Sequence, residues 1–207
     1  MKNANAGFYK KRKIFTKEIK YSSQGAGLFE SLEFNFEKNG ETLKSPLQTL
    51  RKRNAHCFEG ALLGAYILSL HGFTPFVLHL ETTKHDYDHV ITPFKVGKFW
   101  GALSKTNHAV LRYREPIYKN VRELAMSYFH EYFLNNGKKT LRKYSVPLNL
   151  DTLKNNLATR EDDLWEIDKK LDKIKHYDLV PKSHIKRLRK ADKIEIRAGK
   201  IVEYRNS

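Results

Sequence analysis

Leu32, Phe34 and Phe36 alternate with Glu33 and Asn35, a period of two that predicts a short strand ending at Asn39-Gly40. Ser45-Pro46 then opens a helix, with Ser45 as N-cap and Pro46 in the first turn. That helix runs through Leu47, Leu50 and Arg51 and stops before Cys57. From Cys57 to Leu68 the pattern changes, because the run is apolar on most sides. It predicts a helix buried in the core and ended by Gly72. Phe73 to Leu80 reads as a buried strand, and His85-Asp86-Tyr87-Asp88 as a polar loop. His89-Val90-Ile91-Thr92-Pro93-Phe94 reads as a second strand, with Pro93 marking an edge or a bulge. After the turn Val96-Gly97-Lys98, Phe99 to Leu103 forms a third strand antiparallel to the second.

Beyond Tyr118 the apolar positions Val121, Leu124, Ala125, Tyr128, Phe129, Tyr132 and Phe133 fall at helical spacing, up to Asn135-Asn136-Gly137. Another helix follows Asp162-Asp163, with Leu164, Ile167, Leu171 and Ile174 on one face, and Pro181 breaks it. Ile194 to Arg197 and Ile201 to Tyr204 alternate on either side of Ala198-Gly199-Lys200, which reads as a closing hairpin. The expected organisation is one domain over 1–207. It has a core at about 22–135, a basic N-terminal arm over 1–21, and a helical extension with the hairpin over 136–207.

Composition changes this picture in two respects. With 207 residues, 40% of them hydrophobic, the chain can bury a real core. The net charge of +16 raises the question of an anionic or nucleic-acid partner, although the excess is spread along the chain. Its two dense clusters are Lys10-Lys11-Arg12-Lys13 and Lys186-Arg187-Leu188-Arg189-Lys190. No apolar run is long enough to span a bilayer, and Met1 to Ala6 does not read as a secretory signal. No membrane association and a cytoplasmic location are the expectations.

Cys57 is the only cysteine, so no internal disulfide can form. Its place at the start of a helix is where unpaired N–H groups and the helix dipole favour a thiolate. His89, first residue of its strand, sits where a side chain stays accessible and can share the thiol proton. His56 either caps or turns the helix entrance. Arg53 either pairs with Glu59 or lines an anionic pocket. His79, His85, Asp86, Asp88 and His89 cluster in sequence, but without the helical HExxH arrangement. Neither a metal nor a cofactor is expected.

Arg53-Asn54-Ala55-His56-Cys57-Phe58-Glu59-Gly60-Ala61, then Asp88-His89-Val90, then Gly97-Lys98-Phe99-Trp100, resemble the transglutaminase-like superfamily of papain-related cysteine enzymes. The resemblance covers roughly residues 45–105. It implies an α+β fold of papain/transglutaminase-like type, with the cysteine helix packed on a small antiparallel sheet and additional C-terminal helices. It also implies acyl transfer or amide and peptide hydrolysis, with Cys57 as nucleophile and His89 as its base. The family's third residue is an aspartate, due near Ser104, where this chain has no carboxylate. Ser104 and Asn107 are the alternatives for that position. Asp88 is poorly placed, because neighbours along a strand point to opposite faces. A peptide or amide substrate follows from the enzyme reading. The other reading is a catalytically inactive protein of this fold that binds an anionic or nucleic-acid partner.

Overall fold

The computed structural model describes residues 27–28, 31–153 and 156–205. The basic arm over 1–21 and nearly all of the loop over 22–27 lie outside the described residues.

Helices cover both faces of one antiparallel sheet. Strand β1 (Glu33–Phe34) is shorter than its alternation suggests and pairs in parallel with β2 (Asn54–Ala55). Between them lies helix α1 (Pro46–Lys52), with the Ser45 hydroxyl accepting from the Gln48 N–H. Helix α2 (Cys57–Leu70) follows directly on β2. At its end Gly72 adopts φ +82°, Gly72 N–H donates to the Ser69 carbonyl, and Phe73 N–H to that of Leu68. This closes the paired Schellman bonds that terminate a helix at a glycine.

The main sheet contains β3 (Phe76–Glu81), β4 (His89–Val96), β5 (Phe99–Leu103), β6 (Arg114–Tyr118), β7 (Lys143–Ser145), β8 (Leu148–Asn149) and β9 (His176–Asp178). Its order is β6-β5-β4-β3-β7-β9, with β8 beside β3. Pro93 is thus inside a central strand, against expectation. The reason is local: β3 pairs only with His89, Val90 and Ile91, and β5 pairs with Thr92 to Val96. Where Pro93 lies, one side of β4 needs no ladder donor. Gly101 stands at the irregular register of β5 and β6, where an added Cβ would lie 2.7 Å from the Arg114 carbonyl oxygen.

Alternate residues of the central strands are buried on opposite faces. Val77 and Val90 join a cluster with Phe58, Ala61, Leu62 and Ala65 of α2 and with Leu164, Ile167 and Leu171. Leu78, Leu80 and Ile91 pack instead with Leu124, Ala125 and Tyr128 of helix α3 (Val121–Phe129). Burial on both faces explains why the strands read as continuous apolar runs. Thr92 adds a polar tie, its hydroxyl donating to the Ala61 carbonyl at 2.7 Å.

Three further differences from the sequence expectations concern the second half. Helix α3 ends at Phe129, and Tyr132 and Phe133 lie beyond it. Residues after 136 are not purely helical: besides α4 (Trp165–Lys173) they supply β7, β8 and β9. The C-terminal hairpin is instead helix α5 (Lys193–Gly199), started by a reciprocal capping box between Asp192 and Glu195. Val202 forms only an isolated bridge to His108.

Candidate active site around Cys57

A cleft of about 560 Å³ opens where the N-terminus of α2 meets the start of β4. Cys57, His56, His89, Asp86, Lys105 and Tyr132 are among its lining residues. The Cys57 thiol is half-buried at the first position of α2. The imidazoles of His56 and His89 line the same cleft and are close enough to the thiol to act on it. Burial pushes the thiol pKa up, but the bonds and charges of the two imidazoles outweigh burial and hold it well below 9.0.

The helix start is built around Glu59, whose carboxylate is fully buried. It accepts from the Thr42 hydroxyl at 2.7 Å, the Lys44 N–H at 3.2 Å, Asn35 Nδ2 at 3.1 Å and the His56 N–H at 3.1 Å. Its ion-pair partner is Lys44, at 3.2 Å, rather than Arg53, whose side chain is exposed. A carboxylate in the first turn complements the helix dipole, and this one also fixes the residue preceding the thiol.

His56 is the N-cap of α2, which is the capping role considered from sequence. Its Nε2–H donates to the Thr42 carbonyl at 2.8 Å. Its Nδ1 has two exclusive uses. It can accept the Phe58 N–H, at 3.3 Å, or carry a proton toward Cys57. Burial opposes the charged ring, but the Cys57 thiolate and Glu59 favour it more strongly, and its pKa rises to about 9. Glu37 and Glu59 lie 3.6 Å from Nε2 and supply the surrounding negative charge.

His89 is 5% exposed, and its Nε2 lies 2.7 Å from Ser104 Oγ. Ser104 in turn donates its hydroxyl proton to the Leu111 carbonyl at 2.5 Å. The serine proton is therefore spent, and Ser104 receives the Nε2–H of His89 on a lone pair. That sets the tautomer, because Nδ1 is then the basic nitrogen and the one free to meet the thiol. Asn107, the other sequence candidate, uses both amide groups on the chain end. Its Oδ1 accepts the Tyr204 N–H at 2.8 Å, and its Nδ2 donates to the Tyr204 carbonyl at 2.9 Å.

Asp88 faces away from His89. Its Oδ2 accepts from His79 Nε2 at 3.0 Å, and its Oδ1 accepts the Thr82 N–H at 2.7 Å. His79 Nδ1 reaches His176 Nε2 at 3.0 Å, and His176 Nδ1–H donates to the Ile174 carbonyl. Two members of the histidine–aspartate cluster noted in the sequence are thus engaged with each other. Among the described residues no three His, Cys, Asp or Glu side chains group to hold a metal ion. Tyr132 closes one wall of the cleft, its hydroxyl donating to the Tyr87 carbonyl at 3.3 Å. Burial first, and then the negative charges of Cys57, Asp86 and Asp88, keep that phenol protonated.

Sequence reasoning named Cys57, His89 and Ser104 and missed the weight of Glu59 and the role of Leu111. Glu59 left a signal: a polar residue followed by Glu three positions on, ahead of an apolar run, is a helix-start signature. Leu111 left none, since its contact with Ser104 depends on a loop conformation. No protein-family model matches the chain, and no curated protein is similar to it.

Proposed function

We propose that this chain is a cysteine-dependent acyl-transfer enzyme or amide hydrolase, with an α+β fold of the papain/transglutaminase-like type. The observation that carries the reading is that Cys57 and His89 line one cleft, with His89 Nε2 held 2.7 Å from Ser104 Oγ. The Cys57 thiolate attacks an amide or ester carbonyl, and the N–H groups at the start of α2 face the developing oxyanion. His89 Nδ1 delivers a proton to the leaving group and then takes one from the water that attacks the thioester. Ser104 occupies the place of the aspartate and acts as a neutral acceptor, so the imidazolium is held in orientation but is less strongly stabilised by charge. Water is the simplest acceptor for the acyl group, and a peptide or amide is the substrate class the chemistry fits.

Incubation with a thiol-reactive probe that mimics an amide, followed by intact-mass analysis, tests this assignment. The expected result is single labelling that is abolished in Cys57→Ala and slowed in His89→Ala. Equal labelling rates for the wild type and His89→Ala would remove the activated pair. The alternative, a binding protein for an anionic or nucleic-acid partner, has the net charge of +16 and the missing carboxylate on its side.

A further inference from the structure

The acceptor on His89 is only as well placed as Ser104, and Ser104 is only as well placed as the carbonyl that takes its proton. That carbonyl belongs to Leu111, a non-glycine residue at φ +62°. Left-handed backbone at a branched residue persists only where surrounding contacts enforce it. Here the enforcing contact is visible. The Leu111 N–H donates to Glu131 Oε2 at 2.6 Å, and the same oxygen accepts from Arg114 at 2.6 Å. Arg114 is anchored by Ser127, with its guanidinium carbon 4.2 Å from the Tyr128 ring centroid. Glu131 therefore grips the amide of the residue whose carbonyl grips Ser104.

We infer that Glu131 is a positioning residue for His89, acting through the Leu111 backbone and the Ser104 hydroxyl. It supplies at a distance the carboxylate that is absent beside the imidazole. Its part is to hold Ser104 as the acceptor of the His89 Nε2–H, so that Nδ1 is the nitrogen left to exchange its proton with Cys57. This inference rests on the Cys57–His89 reading, and it makes Glu131 necessary for turnover without any contact to substrate.

The test uses p-nitrophenyl acetate as acyl donor and the full-length protein. In it, thiolate attack releases p-nitrophenolate, and hydrolysis of the thioester by water, with His89 as base, returns the free thiol. Glu131→Ala and Ser104→Ala each lower steady-state turnover by about tenfold or more while the initial burst persists, the scale of loss that misorientation produces. The double variant is no slower than Ser104→Ala alone, because both substitutions act through one group. Glu131→Gln keeps an acceptor for the Leu111 N–H and recovers most of the turnover. Ring 15N shifts of His89 give a readout that needs no activity. Nε2 carries a fixed proton in the wild type and is only partly protonated, sharing the neutral ring's proton with Nδ1, in Glu131→Ala. Wild-type turnover and an unchanged tautomer in Glu131→Ala overturn the inference. A double variant slowed by the product of the two single effects also overturns it. If His89→Ala turns over like the wild type, the enzyme reading itself fails, whereas the His89 tautomer still decides the part played by Glu131.

Discussion

At the scale of single residues, the central feature is a thiol that shares its cleft with the imidazoles of His56 and His89. His56 and His89 both lower the Cys57 pKa, and His56 pays back the interaction with its own rise to about 9. A thiol of ordinary pKa gains about tenfold in alkylation rate per pH unit below that pKa, because only the thiolate reacts. Cys57 departs from this: the rising limb of its iodoacetamide rate profile is expected at lower pH than that of a free thiol, since its folded pKa is depressed. The sign follows from the shifts. The depressed thiol ionises at lower pH than a free thiol, and His56 keeps its proton until about pH 9. His56→Gln removes one cation, so the rising limb of the profile moves to higher pH. A wild-type profile that coincides with that of a free thiol would mean that no thiolate is held. The places of Cys57 at the start of a helix and His89 at the start of a strand were legible in the sequence, because local pattern sufficed. The pairing of Glu59 with Lys44 was not, since it depends on a side chain reaching the helix start from the preceding loop.

At the scale of elements, patterns with a strong local cause read correctly, and those set by partners far along the chain did not. Ser45-Pro46 and the apolar run after Cys57 each contain their own start signal, and α1 and α2 begin where those signals lie. The alternation around Glu195 suggested a strand, but Asp192 and Glu195 form a capping box that starts α5. Helix start chemistry thus outweighs a two-residue period when no neighbouring strand is there to pair. Strands β7 and β9 were missed because each is three residues long and exists only through its pairing in the sheet. Asp192→Ala is expected to destabilise the protein by about 1 kcal/mol, the usual cost of losing an N-cap. Chemical denaturation reads this as a lower midpoint at constant slope, and an unchanged midpoint would show that α5 does not depend on its cap.

At the scale of the whole molecule, the fold gathers the site from distant parts of the chain. Helix α2 brings Cys57, β4 brings His89, and the end of β5 places Ser104 where β4–β5 pairing terminates at Leu103. The segment after α3 returns Glu131 to the Leu111 loop, and Asn107 ties that side to the chain end through Tyr204. The mixed helix and sheet architecture was evident in the sequence; the second half's contribution to the same sheet was not. Among the described residues no helix is long and apolar enough to cross a membrane. The +16 charge is a property of the whole sequence, and it says little about the cleft, where Glu37, Asp86 and Asp88 stand beside Lys105 and three histidines. The central claim is that Cys57 and His89 perform acyl transfer as a pair, and the most direct measurement is time-resolved intact mass after mixing with p-nitrophenyl acetate. The account predicts a 42-dalton adduct, about the mass of one acetyl group on Cys57, that clears in the wild type and accumulates in His89→Ala, where no base activates water. An adduct on another residue, or equal clearance in the wild type and His89→Ala, would contradict it.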